Sequence, residues 1–162
     1  MKIIDNLIEI FGKIASFLVL FLSILVVYDA LSRYLFHNGS VALQELEWHI
    51  FDIIFLLGLS WALKEDEHVR VDIFYAKFSP KTKAIINIFS SLFMILPFSV
   101  LIIYTSFNFI EMSFLQNEMS SDPGGLKHRY IIKAFIAFGF ILLSLQAISE
   151  IYKNYKFLRE KK

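Results

Sequence analysis

The sequence predicts an all-α integral membrane protein, with four transmembrane helices and a short interfacial amphipathic segment between the second and third. Three observations carry this. Of the 162 residues 57% are hydrophobic, Phe alone occurring 18 times, an excess over the roughly 45–50% apolar content of soluble domains. The apolar residues gather in four runs, at about residues 14–35, 46–63, 85–110 and 130–151, each near or above the ~20 residues that cross a bilayer. Between the second and third runs, residues 64–79 turn polar but keep Val69, Val71, Ile73, Phe74 and Phe78 for contact with an interface. Neither an internal repeat nor a linker divides the chain, so residues 1–162 form one domain.

Taken in order, Met1 to Gly12 reads as a helical lead-in at the interface, with Ile3, Ile4, Leu7, Ile8 and Phe11 set against Lys2, Asp5, Asn6 and Glu9. Asp5 and Glu9 interrupt the basic region that a cleavable signal needs, and no small-residue cleavage site follows. The first run is interrupted by Asp29 and Arg33, four apart on one helical face. They can pair with each other near the headgroups, or Arg33 can reach Glu45, Glu47 or another subunit. His37-Asn38-Gly39-Ser40 predicts a turn, because Asn-Gly accepts a positive φ at little cost.

The second run is short for ~30 Å of hydrocarbon, so Trp48 and Trp61 are expected at its two interfaces. Glu45, His49 and Asp52 fall on one stripe at i, i+4 and i+7. An ionised Asp at the bilayer centre costs roughly 2.5–3.5 kcal/mol, so the stripe is expected to face protein or water. Ser79-Pro80 predicts a helix start, Ser as the cap and Pro at the first helical position. Pro97 removes a backbone bond in mid-span and predicts a kink. Residues 111–129 form the second polar connection, with turns at Ser120-Ser121-Asp122-Pro123-Gly124-Gly125. The fourth run carries Lys133 near its entry and Gln146 and Glu150 toward its exit, and leads into a basic helical tail.

Four spans put both termini on one side. Lys2, Lys13, Lys64, Arg70, Lys77, Lys81, Lys83, Lys153, Lys156, Arg159, Lys161 and Lys162 lie on that side, against Arg33, Lys127, Arg129 and Lys133 on the other. The excess of basic residues predicts cytoplasmic termini and external loops at 37–45 and 111–129.

Several chemistries are excluded. The absence of Cys removes disulfides, thiolate catalysis and iron–sulfur ligation. A net charge of +1 without a basic block leaves no footprint for nucleic acid. No nucleophile–base set, glycine-rich phosphate loop or zinc-protease motif occurs, so no enzyme is expected. Among His37, His49, His68 and His128 only His49 falls within a span, a poor basis for bis-His heme. The Glu45, His49 and Asp52 stripe has metal-ligand chemistry but poor tetrahedral geometry, and helix pairing is the commoner reason for such a stripe. Paired broken helices, the mark of a self-sufficient transporter, are not evident. Gly58, Ser60 and Ala62 permit close helix approach, to a partner or within the bundle.

Nearly the whole chain resembles the small membrane subunit of tripartite ATP-independent periplasmic (TRAP) transporters, the DctQ-like family. The resemblance is carried by Arg33-Tyr34-Leu35-Phe36, by Glu45, Glu47 and Trp48, by Gly58-Leu59-Ser60-Trp61-Ala62-Leu63 and by His68-Val69-Arg70-Val71-Asp72. Ser121-Asp122-Pro123-Gly124-Gly125-Leu126 and the helix from Lys133 to Gln146 extend it. It implies a bacterial inner-membrane scaffold for a large DctM-like subunit, which carries the substrate and sodium sites and moves as an elevator. A periplasmic binding protein would deliver the substrate, typically an organic acid; no cofactor is expected in this chain. On this reading Arg33, Glu45, Glu47, Trp48, His49, Asp52, Gly58 and Trp61 face the large subunit. His68, Arg70 and Asp72 hold the interfacial segment to phospholipid, and Glu111, Glu118, Asp122, Lys127 and Arg129 receive the binding protein. The alternative is the membrane anchor of a heme-containing oxidoreductase.

Overall fold

A computed structural model describes residues 1–66, 75 and 77–160. Its frame is four long helices: α1 (Lys2–Phe36), α2 (Val41–Lys64), α3 (Pro80–Leu115) and α4 (Tyr130–Glu160), each long and apolar enough to cross a membrane. The short connections 37–40 and 116–129 share one end of the bundle, here called the loop end; both termini share the other. The interfacial segment expected between α2 and α3 falls, with His68, Arg70 and Asp72, outside the described residues.

Helix starts follow local chemistry. Ser40 caps α2, its Oγ accepting from the Leu43 N–H at 3.4 Å. Ser79 caps α3, accepting from the Thr82 N–H at 3.2 Å, with Pro80 in the first turn. The turn after α1 differs in detail from the Asn-Gly expectation. His37 takes the left-handed conformation (φ 51°), and the Asn38 N–H returns to the Ser32 carbonyl at 3.2 Å. The helix stop itself demands a left-handed residue directly after the last helical position, so His37 adopts it one residue ahead of Asn38-Gly39.

The lead-in is helical and continuous with the first span, for α1 runs unbroken from Lys2 and its first turns pack inside the bundle. Ile8, Gly12 and Ala15 lie at i, i+4 and i+7, and all three are buried. Gly12 faces the Trp61 indole so closely that a Cβ there would overlap the ring. Ile8, Ala15, Leu57 and Leu142 form one core cluster, with Phe11 and Phe138 edge to face beside it at 5.3 Å. Beyond Ala15 α1 has no buried position until Asp29.

The termini are tied across this end. Asp5 Oδ1 accepts from Lys153 Nζ at 2.7 Å, Ser149 Oγ at 3.1 Å and Gln146 Nε2 at 3.4 Å. Glu150 Oε1 accepts from Gln146 Nε2 and Lys153 Nζ, both at 2.9 Å. Lys64 donates to Glu9 and, at 2.9 Å, to Glu65, joining α1 to α2. Gln146 is fully buried; these bonds replace water for its Nε2, while its Oε1 has no partner among the described residues.

On α3 the packed face is a line of small residues: Ala84, Ser91, Ser99, Ser106 and Ser113, all buried. The steps are seven residues, except for eight between Ser91 and Ser99. That extra residue is absorbed by a π turn at Ser91–Ile95, where the Leu96 N–H reaches back to the Ser91 carbonyl, five residues earlier. Pro97, which lacks an N–H, follows immediately. On the facing helix Gly139 meets α2, where a Cβ would stand 2.9 Å from Leu56 Cβ and 3.1 Å from the Leu56 carbonyl oxygen. Small residues thus let α2, α3 and α4 approach closely, as apolar helices in lipid must in order to gain packing energy.

Candidate functional site

The loop end carries a connected polar architecture. Asn117 ends α3 with φ 47°, and the Glu118 N–H bonds the Ser113 carbonyl at 3.0 Å. Two backbone bonds then draw the connection together, Ser120 N–H to Leu126 O at 3.0 Å and Arg129 N–H to Glu118 O at 3.1 Å. Asp122 to Gly125 forms the tip, closed by the Gly125 N–H on the Asp122 carbonyl at 3.0 Å, with Gly124 at φ 83°. Glu45 locks this loop to α2. Its carboxylate accepts from Ser120 Oγ and, at 2.6 Å, from the Leu126 N–H. Gly125 is required beside it, because a Cβ there would strike Ser120 and stand 2.8 Å from the Glu45 carboxylate.

Beneath the loop a groove of about 750 Å³ opens between α2 and α4. One wall is Glu45, Trp48, His49, Asp52, Phe55 and Leu56; the other is Arg129, Ile132, Lys133 and Ile136, with Phe109 and Glu118 closing the α3 side. Lys133 is largely buried, its ammonium donating to Glu118 and lying 3.8 Å from the Phe109 ring centroid. The ion pair with Lys133 holds the Glu118 carboxyl below the ordinary carboxylate range, against the opposing effect of burial. The groove therefore has a charged mouth and an apolar floor. The Glu45, His49 and Asp52 stripe lines one wall, and Asp52, exposed, has no hydrogen bond or ion pair among the described residues.

A second polar site lies where α1 and α2 meet at the same end. Arg33 pairs with Asp29, the first of the two pairings open to it. Asp29 is only 2% exposed. Its Oδ1 and the Glu47 Oε1 are both buried, and neither has a hydrogen-bond partner among the described residues. One guanidinium thus stands near two carboxylates and satisfies one oxygen of one of them.

The other residues singled out from the sequence are spread along the chain. Trp48 is exposed at the loop end of α2, and Trp61, also exposed, covers Gly12 toward the terminal end. Gly58 has nothing within 4 Å of the position a Cβ would take. Glu111, Asp122 and Lys127 are exposed, while Glu118 and Arg129 are half-buried at the groove. His37 and His128 sit in the connections and His49 on α2, so the described histidines do not converge. Among the described residues no group of three His, Asp or Glu side chains is placed to hold a metal ion. Sequence reasoning missed Lys133 as the groove's central cation and Gly12 and Gly139 as helix contacts. Glycine inside an apolar helical run is the signal for the latter two, since it otherwise weakens a helix.

Compared with curated proteins, the chain finds no match. The family model for the DctQ component of tripartite ATP-independent periplasmic transporters matches residues 22–157. That stretch includes all of α2 to α4 up to Phe157, the loop-end groove and the Asp29–Arg33 pair. The chain therefore belongs to the DctQ family, the small membrane component of TRAP transporters.

Proposed function

We propose that this chain is the non-catalytic scaffold of a sodium-coupled TRAP system that takes up an organic acid across a bacterial inner membrane. It holds a large, moving membrane subunit that carries the substrate and sodium sites, and it helps receive the periplasmic binding protein. The observation that carries this is a polar group left without a partner on the surface of a spanning helix: Asp52, exposed on α2 among Trp48, Phe51 and Phe55. Lipid offers such groups nothing, and a neighbouring subunit does. In this role Arg33, Glu45, Glu47, Trp48, His49, Asp52, Gly58 and Trp61 face the large subunit, Glu45 partly through the loop it anchors.

The basic residues concentrated at the terminal end support a cytoplasmic position for both termini. The 116–129 connection then faces the periplasm, where Glu111, Glu118, Asp122, Lys127 and Arg129 offer mixed charge to a binding protein. His68, Arg70 and Asp72 serve lipid headgroups on the opposite side.

The test is a detergent pull-down of the tagged chain expressed with its genomic neighbours, read by mass spectrometry and a visible absorbance scan. A large multi-span partner and a flat spectrum are the expected result. A flavin or iron–sulfur partner with a heme band that disappears in His49→Ala would replace this reading with the oxidoreductase anchor. Uptake by this chain reconstituted alone would replace it with a self-sufficient transporter.

A further inference from the structure

We propose that Asp52 is the acceptor for an arginine or lysine carried on a transmembrane helix of the large subunit, seated along one face of α2. This rests on the scaffold reading above and adds the contact through which the pairing is made.

Asp52 lies six residues beyond Leu46, where the second apolar run begins, about 9 Å along the helix axis. That is roughly a third of the ~30 Å hydrocarbon thickness. Its side chain is exposed and, among the described residues, unpartnered. The spanning helices' cations at this end are committed elsewhere, Lys133 to Glu118 and the Phe109 ring and Arg33 to Asp29, while Arg129, at the groove mouth, stands near the Glu45 and Glu118 carboxylates. At that depth acyl chains offer no donor, and the lipid headgroups lie more than one helical turn away.

The surroundings of Asp52 have the form of a helix seat. Trp48, Phe51, Asp52 and Phe55 stand at i, i+3, i+4 and i+7, the spacing of one helical face, and all four are exposed. Farther along, Gly58 has open space where a Cβ would be, so a second backbone can come close. Aromatic side chains around a lone carboxylate supply contact area and exclude water, while the carboxylate fixes register. Charge complementarity names the occupant: a helix bearing a basic side chain at the depth of Asp52, since a second acidic or purely apolar helix would leave the carboxylate uncompensated.

The experiment uses the complex of the tagged chain with its large subunit, in wild type and in Asp52→Leu and Asp52→Lys. If wild type brings down no large subunit, the scaffold reading itself fails. If it does, Asp52→Leu is expected to lower the copurified partner on the order of tenfold, with Asp52→Lys lower still. The amount of the chain itself in the membrane should hold, because Leu at an exposed position within a span inserts at least as well as Asp. An unchanged partner yield in both variants overturns the proposal while leaving the scaffold reading intact. A photo-crosslinker in place of Phe55 should label a spanning segment of the large subunit that contains Arg or Lys. Exchanging that residue for Asp should then restore the complex of Asp52→Lys. Labelling confined to lipid, or to a segment without a basic residue, also overturns it.

Discussion

The Glu45 carboxylate on α2 accepts a hydrogen bond from the backbone N–H of Leu126 at 2.6 Å, across 81 positions of sequence. One side chain thereby ties the 116–129 connection to a helix wall. Glu45→Ala should free the connection, giving faster tryptic cleavage at Lys127 and Arg129 and a lower thermal midpoint in detergent. Glu45→Gln, which keeps an acceptor oxygen, should fall between the two. Equal cleavage rates in all three proteins would show that the loop is held by its own backbone bonds.

Glu118 gives this same end a pH dependence of known sign. Its carboxyl is depressed below the ordinary value of 4.5, chiefly by the hydrogen bond from Lys133. A depressed acid binds fewer protons folded than unfolded, so its contribution is complete above pH 4.5 and is lost as pH falls through the lower folded value. Thermal midpoints measured downward from pH 6 should decline below about 4.5 in wild type. In Glu118→Gln the decline should be shallower.

Two glycines should respond in opposite ways to the same methyl group. Gly139→Ala pushes against the Leu56 backbone carbonyl at 3.1 Å, which cannot rotate away. The expected loss is about 1–3 kcal/mol. Gly58→Ala meets nothing within 4 Å and should leave the isolated chain as stable as before. Unfolding midpoints of the two variants in one detergent give the comparison.

Ser99 separates packing from hydrogen bonding on α3. It is fully buried and its hydroxyl has no partner among the described residues. Ser99→Ala should therefore be neutral, or more stable by up to about 1 kcal/mol. Ser99→Leu should cost about 1–3 kcal/mol by forcing α3 from α4. A destabilised Ser99→Ala would reveal a hydrogen bond that the packing does not require.

How far the fold can be read from sequence depends on the range of each signal. Ser40 and Ser79-Pro80 mark helix starts because capping is settled within three residues. The four spans are legible from hydropathy alone. Asp5 with Lys153, and Glu45 with Leu126, join distant parts of the chain and leave no local pattern. The Asp29–Arg33 pairing was one of the choices that helical spacing allows, and geometry selects it. The serine line on α3 was hidden for a different reason: its period of seven skips to eight at Ser99, so a regular helical count loses it.

The π turn at Ser91–Ile95 gives α3 slack in length on one side only. Leu92, Phe93 and Met94 are exposed there and could each be exchanged for another apolar residue with the seam still aligned. Removing any one of them would let the turn rewind as ordinary helix, and the step from Ser91 to Ser99 would become seven like its neighbours. Ser99, Ser106 and Ser113 would then stay on α4, and Phe109 would keep its place under Lys133. A single-codon insertion has no such slack to take up, and would turn the whole outer half of α3 by about 100° away from the groove.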